Sequence, residues 1–236
     1  MDQDTKAEIE NQPWNKGKSV GQMTPFTPDQ AELVRAILRS EHDSLLREAT
    51  TANTKGKARQ LQRQALGIVR DLALFDTAID TMLRACDLLA LRVRDVTDHT
   101  GAVVVEFTVR QRKTGRGHLA TLLAHTRQSL SEWISAAAKT PDDFLFTSIG
   151  NRNYGGAISR EQYANLVKKW ANAARLDHRR HSTHSMRRSK PAAVYDQTHN
   201  LAACQHLLAH KSIGSTAHYL GVDQRKALDL AKRIKV

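Results

Sequence analysis

Two segments in the last third of the chain carry side chains suited to chemistry on a phosphodiester. His184 and Arg187 lie three residues apart in THSMRRS, so both would project from one side at the start of a helix. His210 precedes Tyr219 by nine residues in LAHKSIGSTAHY. A phenol can attack phosphorus, histidine can carry a proton, and a planar guanidinium matches two charged phosphate oxygens at once. The set predicts metal-free phosphoryl transfer.

Two further cations in the first half of the chain would complete such a site. Arg84 lies in TMLRACDLLALRVRDV between two apolar helical patterns, and Lys113 lies in RQRKTGRGH, where a glycine-containing turn is expected. A second guanidinium would share the phosphate charge, and a long amine on a turn can reach into a groove. Taken singly, each has an ordinary alternative as a solvated cation. His210 likewise fits a helix cap and Tyr219 a half-buried aromatic residue.

The charge of the protein is concentrated where these residues lie. The formal net charge is +12, and residues 151–236 hold 16 Lys and Arg against 5 Asp and Glu, while residues 1–150 hold 20 against 19. Seven of the 11 histidines also fall after residue 150. A concentrated basic face attracts polyanions, of which nucleic acid is the commonest. The segment is not of low complexity, which argues against a ribosome-like basic tail.

Several other classes of protein and site are disfavoured. The apolar runs are too short for a transmembrane helix, and MDQDTKAEIE lacks the features of a signal peptide. Cys86 and Cys204 form neither a metal-ligand pair nor a disulfide framework, so they are interpreted as buried free thiols in a reducing cytoplasm. The spacings of His178, His181 and His184, and of His206 with His210, would allow a metal, but accidental spacing is the favoured interpretation. No cofactor is expected.

Most of the chain follows a helical period, with one change of period near its middle. Thr27-Pro28 has the form of a helix start, and apolar residues from Leu61 to Leu83 recur at helical spacing. Residues 47–66 fit either a linker or a solvent-facing helix. Residues 103–109 alternate with period two, KTGRGH interrupts them, and apolar residues resume at Leu119, which predicts a β-hairpin. The expected fold class is mainly α with a small antiparallel hairpin.

The remaining elements are predicted to be short helices. A capping box at Ser159 and Gln162 opens one that ends near Ala174, and Ser215-Thr216 is the predicted cap of another that runs through Tyr219. The other predicted helices run over 126–138, 184–195 and 201–208, and an amphipathic tail begins at residue 223. The expected organisation is a flexible arm over 1–27, a helix and linker over 28–66, and a catalytic domain over 67–236.

The ordered motifs resemble those of the tyrosine recombinases of the phage integrase family. LRACDLLALRVRDV matches an Arg before an acidic-Leu-Leu-x-Leu stretch, RQRKTGRGH a hairpin Lys, THSMRRS a His-x-x-Arg box, LLAHKS a Leu-Gly-His box, and STAHYL the following Tyr. The match spans about residues 68–223. WNKGKSVGQMTPFTPDQ also resembles the opening of short integrases without a separate core-binding domain. The resemblance implies a recombinase catalytic domain that is bacterial or phage-derived, cytoplasmic and nucleoid-associated.

The resemblance also implies a role for each motif residue. Tyr219 would attack the scissile phosphate to give a 3′-phosphotyrosyl bond, which stores the bond energy so that no ATP is needed. Arg84 and Arg187 would clamp the non-bridging oxygens, and Lys113 would protonate the leaving 5′-oxygen. The two histidines would complete the set: His184 would help to manage the tyrosine proton, and His210 would hydrogen-bond the phosphate.

Two residues depart from the family pattern. Ala209 stands where glycine usually precedes the second histidine, which makes close backbone approach less easy. Pro191 falls inside the predicted helix that begins near His184, where proline costs about 3 kcal/mol or forces a kink. Neither change removes a catalytic group.

The implied partner is double-stranded DNA, bound by a dimer on one site and by a tetramer when two sites are synapsed, with accessory DNA-bending proteins as further candidates. A type IB topoisomerase-like relaxing enzyme is one alternative function, and a DNA-binding regulator with an impaired recombinase fold is another. The candidate DNA-contacting cations, for which a solvated face is the alternative, are Arg110, Arg112, Arg116, Arg179, Arg180, Arg188, Lys190 and Lys211.

Overall fold

The computed structural model describes residues 22–149, 155–222, 228, 231 and 232. Two long helices begin this part of the chain, α1 (Pro28–Thr50) and α2 (Lys55–Thr81), and they pack along each other. Thr27 caps α1 in a capping box with Gln30, as its sequence predicts. Residues 47–66 are therefore neither a linker nor one helix, because a short turn after Thr50 separates α1 from α2.

A small sheet and two short helices come after α2. The short helices are α3 (Ala85–Leu88) and α4 (Val93–Val96). Strands β1 (Glu106–Arg110) and β2 (Gly117–Thr121) pair antiparallel, with Arg110 opposite Gly117, which confirms the predicted hairpin. The turn between them carries Lys113. Helix α5 (Ala124–Ala136) then packs against α2.

The last part of the described chain is a run of helices that carries the remaining motifs. These are α6 (Arg160–Ala173), a 3-10 turn (His178–Arg180), α7 (Thr183–Thr198), α8 (Leu201–Leu208) and α9 (Ile213–Leu220). Ser159 and Gln162 form the predicted capping box of α6. The predicted cap of α9 is wrong: Ser212, not Ser215, accepts the hydrogen bond that begins this helix. Helix α7 continues through Pro191 rather than ending there.

A core of aliphatic and aromatic residues joins these elements. Phe75 of α2 packs edge-on against Phe26 on one side, at 5.8 Å between ring centroids, and against Trp170 of α6 on the other, at 5.3 Å. Phe26 is 2% exposed, and the backbone N–H of Thr24 donates to the carbonyl of Arg180 at 2.8 Å. Residues 22–27 are therefore part of the folded domain and not of a flexible arm. Residues 1–21 lie outside the described part.

Buried carboxylates on α2 tie it to its neighbours. Asp76 accepts from Arg35 of α1 at 2.6 Å, and burial raises the pKa of its carboxyl. Asp80 accepts from Lys190 of α7 at 2.8 Å and from Thr126 of α5 at 2.6 Å. The expected domain boundary between residues 66 and 67 falls inside α2, so it is corrected: α1 and both halves of α2 share one core with the later helices.

Three further expectations concern features away from the motifs. The amphipathic tail from residue 223 lies almost wholly outside the described residues. Cys204 is buried and Cys86 half-buried, both as free thiols. In the part of the chain that the structure describes, no helix is long and apolar enough to span a bilayer, and no three His, Cys, Asp or Glu side chains are grouped as a metal site.

Candidate active site

The C-terminal end of α2 places Arg84. The helix ends at Thr81, and Met82 adopts a left-handed conformation with φ 52°, which turns the chain so that Arg84 begins α3. A non-glycine residue in this region costs about 1–2 kcal/mol, so the surrounding structure has to stabilise the turn. The Arg84 guanidinium donates to the amide oxygen of Gln111 on the hairpin. Arg84 is thereby held between two elements.

Arg187 lies in the first half of α7 and is 3% exposed. Its Nη1 donates to the carbonyl of Met82 at 2.7 Å and its Nη2 to the carbonyl of Leu208 at 2.8 Å, so one guanidinium links the ends of α2 and α8. Burial lowers its pKa to about 10, and the neighbouring Arg84 acts in the same direction. At neutral pH the group remains a cation whose position is fixed by backbone.

Tyr219 lies near the end of α9, within the same group of residues. Its hydroxyl donates to the main-chain oxygen of His184 at 3.5 Å, and its ring packs edge-on against the His210 ring at 5.2 Å between centroids. The Arg188 guanidinium lies over the same ring, 5.5 Å from its centroid. The nucleophile candidate therefore meets both histidine motifs within one chain.

The cations around Tyr219 favour its phenolate, but burial of the phenol outweighs them. Burial, the largest influence, raises the pKa of the phenol, while the charges of Arg187, Arg188 and Arg84 and a hydrogen bond with Arg187 lower it. In the free protein the pKa of Tyr219 therefore lies above its ordinary value despite the basic environment. A proton acceptor is still needed when the phenol reacts.

Two histidines beside Tyr219 are able to accept a proton. Burial and then the charges of Arg187, Arg84 and Lys113 lower the pKa of His184. Burial and then the same two arginines lower the pKa of His210 to about 4. Both rings are therefore neutral at pH 7. The Nδ1 of His210 lies 3.1 Å from the Thr216 hydroxyl, which orients the ring towards the start of α9.

Lys113 differs from the arginines in being exposed. It lies on the turn between β1 and β2, and its charge acts on His184, so the turn faces the same group of residues. The structure therefore brings together all six residues that the motifs single out: Arg84, Lys113, His184, Arg187, His210 and Tyr219. Their catalytic roles remain predictions.

The other candidate DNA-contacting cations fall into two groups. Six are exposed and accessible to a ligand, namely Arg110, Arg112, Arg116, Arg179, Arg180 and Lys211. Two are not free surface cations, which corrects the expectation for them. Arg188 is 7% exposed because residues 22–24 cover it, with its Nη1 donating to the carbonyl of Met23 at 2.7 Å. Lys190 is used in the ion pair with Asp80.

Three polar residues of this site have no role in the sequence prediction, although one of them, Asp87, is the acidic residue of the first motif. His118 on β2 is 2% exposed, and its Nε2 lies 2.8 Å from the carbonyl oxygen of Thr81. A carbonyl oxygen can only accept, so this ring nitrogen is the donor. Asp87 on α3 is buried and accepts from the backbone N–H of Arg112 at 2.9 Å. Gln111 is fully buried. The period-two alternation places His118 on the inner face of the hairpin, and that signal could have identified it.

Comparison with known proteins identifies similar chains and folds. The model of the phage integrase family matches residues 26–226. The probable integrase/recombinase YoeC of Bacillus subtilis is 29% identical over 157 residues, which are 66% of this chain and 79% of YoeC. Tyrosine recombinase XerH of Helicobacter pylori is 24% identical over 69% of this chain and 44% of its own length. The chain thus spans about half the length of XerH.

Solved structures show the same fold at low identity. The post-cleavage complex of XerH with a palindromic difH substrate aligns with a TM-score of 0.62 and 19% identity, over 89% of this chain and 53% of XerH. A λ integrase fragment, a dimer bound to a COC′ core site, aligns with a TM-score of 0.53 and 16% identity, over 86% and 61% of the two chains. The arrangement of helices and hairpin is therefore that of the catalytic domain in these proteins.

Proposed function

Because the chain belongs to the phage integrase family, we propose that it is a site-specific recombinase that cuts and rejoins double-stranded DNA. The observation that carries this proposal is the seating of Tyr219 against His184 and His210, next to the buried cation of Arg187. A phenol, two neutral imidazoles and clustered guanidinium groups suit attack on a phosphodiester.

In the proposed cleavage step the Tyr219 oxygen bonds to phosphorus while the bond from phosphorus to the 5′-oxygen breaks. The phenolic proton passes to a neutral imidazole, for which His184 is the candidate, and the leaving 5′-oxygen takes a proton from Lys113. Arg84 and Arg187 balance the charge that develops on the two non-bridging oxygens, and His210 donates a hydrogen bond to one of them. The product is a 3′-phosphotyrosyl bond and a free 5′-hydroxyl.

Rejoining reverses these transfers. A 5′-hydroxyl from a partner duplex attacks the same phosphorus, its proton returns to Lys113, and the phenolate of Tyr219 leaves and is reprotonated. The number of phosphoester bonds is unchanged over the cycle, so this chemistry needs no ATP. Exchange of strands between duplexes calls for two DNA sites and several copies of the chain.

The protein is tested with a pool of nicked duplexes whose sequence around the nick is randomised. Cleavage near a nick releases a short fragment, which diffuses away and traps a covalent protein–DNA adduct that survives denaturation. We expect the wild-type protein to form an adduct with a subset of the pool, and Tyr219→Phe to form none. Tyr195→Phe, at a half-buried tyrosine of α7 that packs against His199 rather than against the motif residues, is the matched control.

The other outcomes of this test separate the alternative functions. An adduct with arbitrary sequences, together with relaxation of any supercoiled plasmid, would point to a type IB topoisomerase. Retarded DNA mobility with no adduct in any part of the pool would point to a DNA-binding regulator. Sequencing the trapped DNA in the expected case gives the target site.

The proposed assembly is a dimer on one target site and a tetramer when two sites are joined, with accessory DNA-bending proteins as further candidates and the nucleoid as the place of action. The exposed cations on the hairpin and near Arg180 are the proposed backbone contacts, since phosphates position a protein on DNA without specifying sequence. Mass measurement of complexes on DNA with one or two recovered sites tests the assembly. Binding should weaken steeply as salt rises because counterions are released.

A further inference from the structure

Gln111 is a fully buried polar residue at the point where β1 meets the turn. Its backbone N–H donates to the carbonyl of Arg116 at 2.9 Å, and its carbonyl accepts from the N–H of Gly115 at 2.8 Å. These two bonds close the turn that carries Lys113. The backbone of Gln111 is therefore committed to the hairpin, and its side chain is available for another contact.

The side-chain oxygen of Gln111 joins two elements of the candidate site. It accepts from the guanidinium of Arg84 and from the Thr114 hydroxyl, the latter at 2.9 Å. A guanidinium only donates, so the orientation of the amide is fixed with its oxygen towards Arg84. Through this one oxygen, the arginine at the start of α3 is linked to the residue next to Lys113 in the turn.

The other end of the amide indicates that Gln111 does not serve packing alone. Its Nε2 is buried and has no acceptor among the described residues. An apolar side chain of similar shape would fill the same space without leaving a buried donor unpaired, which is unfavourable. What glutamine provides, and an apolar residue would not, is therefore the side-chain oxygen that accepts from Arg84 and Thr114.

We propose that Gln111 is a positioning residue that sets the spacing between Arg84 and the turn bearing Lys113. With that spacing fixed, charge stabilisation at the non-bridging oxygens and protonation of the leaving oxygen occur at the same phosphate. Gln111 acts through Arg84 and through Thr114, and not by contact with DNA. The inference rests on the proposed function, since it assumes that Arg84 and Lys113 act on one phosphodiester.

Two substitutions separate the two links. Gln111→Met keeps the length and burial of the side chain but removes the acceptor, so both links are lost. Thr114→Val removes the link from Gln111 to the turn, together with a 3.5 Å hydrogen bond from the backbone N–H of Arg116 within the turn, and leaves the link to Arg84. Thr108→Val, at an exposed threonine of β1 on the same hairpin, is the matched control.

The reporter is the single-turnover rate of Tyr219 adduct formation on two versions of one duplex recovered from the randomised pool. One version has the natural phosphodiester, and the other has sulfur in place of the scissile 5′-oxygen. A thiolate leaves without being protonated, so a defect that acts through Lys113 disappears with sulfur. A defect that acts through Arg84 persists, because the non-bridging oxygens are unchanged.

We expect Thr114→Val to be about 10-fold slower than wild type with oxygen and close to wild type with sulfur. We expect Gln111→Met to be about 100-fold slower with oxygen and still about 10-fold slower with sulfur. Both variants should bind the duplex with a Kd within about twofold of wild type, since phosphate contacts elsewhere dominate affinity. Thr108→Val should match wild type on both duplexes.

The inference is overturned if Gln111→Met cleaves the natural duplex at the wild-type rate, or if its loss is no larger than that of Thr108→Val. It is also overturned if the defect of Thr114→Val is the same with oxygen and sulfur. Should Gln111→Met not fold, Thr114→Val decides alone: a defect rescued by sulfur supports the inference, and no defect refutes it. A wild-type protein that forms no adduct refutes the proposed function itself.

Discussion

The arginines and the lysine of the candidate site are held in contrasting ways. Arg187 is buried and bonds to carbonyls at the ends of α2 and α8, and Arg84 is tied to a buried amide. Lys113 is exposed on a turn. Desolvating a guanidinium is costly, so each of its N–H groups needs an acceptor, whereas a hydrated ammonium on a turn needs none.

This contrast indicates that the buried arginines suit charge stabilisation and that the exposed lysine suits proton donation. A charge clamp works best when it is fixed in advance, because no reorganisation is then needed as charge develops. A proton donor has to reach a leaving oxygen that moves, for which an exposed turn is suited. Substitutions in the arginine region, which comprises Arg84, Arg187 and the helix ends that hold them, should therefore affect both folding and cleavage, whereas substitution of Lys113 itself should affect cleavage alone.

The largest effect is expected from Arg187→Lys. A lysine keeps the charge but cannot bond to the carbonyls of Met82 and Leu208 together and still face a phosphate. We expect adduct formation to slow by about 1000-fold, comparable to loss of an oxyanion donor, and the free energy of unfolding to fall by about 2–4 kcal/mol. Arg94→Lys, at an exposed arginine paired with Asp142, is the control and should change neither quantity appreciably.

Lys113→Ala is expected to have the next largest effect, restricted to cleavage. Loss of a general acid slows such a step by about 100-fold or more. Substitution of sulfur for the scissile 5′-oxygen should restore most of the rate, and chemical denaturation should give an unchanged free energy of unfolding. Thr108→Ala, at an exposed threonine of the adjacent strand β1, serves as the control. A fall in stability equal to that of Arg187→Lys would contradict the contrast.

Acid should lower the free energy of unfolding through protonation of His210, which follows the end of α8 in the arginine region. His210 has a pKa of about 4 in the folded protein, against about 6.5 in an unfolded chain. Between these values the unfolded state binds more protons, so the free energy of unfolding should fall as pH drops from about 6.5 to about 4. Denaturation at pH 7.5, 6 and 5 measures the slope, and His210→Asn should reduce it. An unchanged slope in His210→Asn would refute this assignment.

The smallest effects concern one left-handed residue in each region. Ala209 comes directly after Leu208 in the arginine region with φ 50°, and Gly115 has φ 66° in the lysine turn with open space where a Cβ would be. Ala209→Gly should raise the free energy of unfolding by about 0.5 kcal/mol, and Gly115→Ala should lower it by about 1 kcal/mol, because a Cβ is strained at positive φ while glycine loses more entropy on folding. Urea denaturation compares them with wild type. Equal signs would contradict the prediction.

Local chemistry made much of the fold predictable. Thr27 and Ser159 were correct caps because a glutamine lies three residues after each, and the hairpin was indicated by a change of period. The predicted cap of α9 is wrong because three small hydroxyl residues, Ser212, Ser215 and Thr216, lie near its start, and the choice of Ser212 depends on how α8 ends. The boundary at residue 66 was wrong because a polar, exposed first half of α2 resembles a linker.

The sequence motifs identified the six candidate side chains, but they did not identify the groups that hold these side chains in position. The partners of Arg187 are the main-chain oxygens of Met82 and Leu208. Every residue has a main-chain carbonyl, so the residue type at a position does not reveal that its carbonyl is an acceptor. Arg188 was misjudged as a surface cation because residues 22–24 cover it from more than 160 positions away. Such long-range contacts depend on the tertiary fold and on no local pattern.

The hydroxyl of Tyr219 reaches the main chain of His184 within its own subunit, so one polypeptide holds the nucleophile and its clamp together. In a mixed assembly, a Tyr219→Phe copy and an Arg187→Lys copy would then fail to rescue one another. The yield of broken strands would fall in proportion to the share of defective copies, without a threshold. Each copy would then cleave with its own Tyr219 and its own arginines, independently of the residues that a neighbouring copy carries.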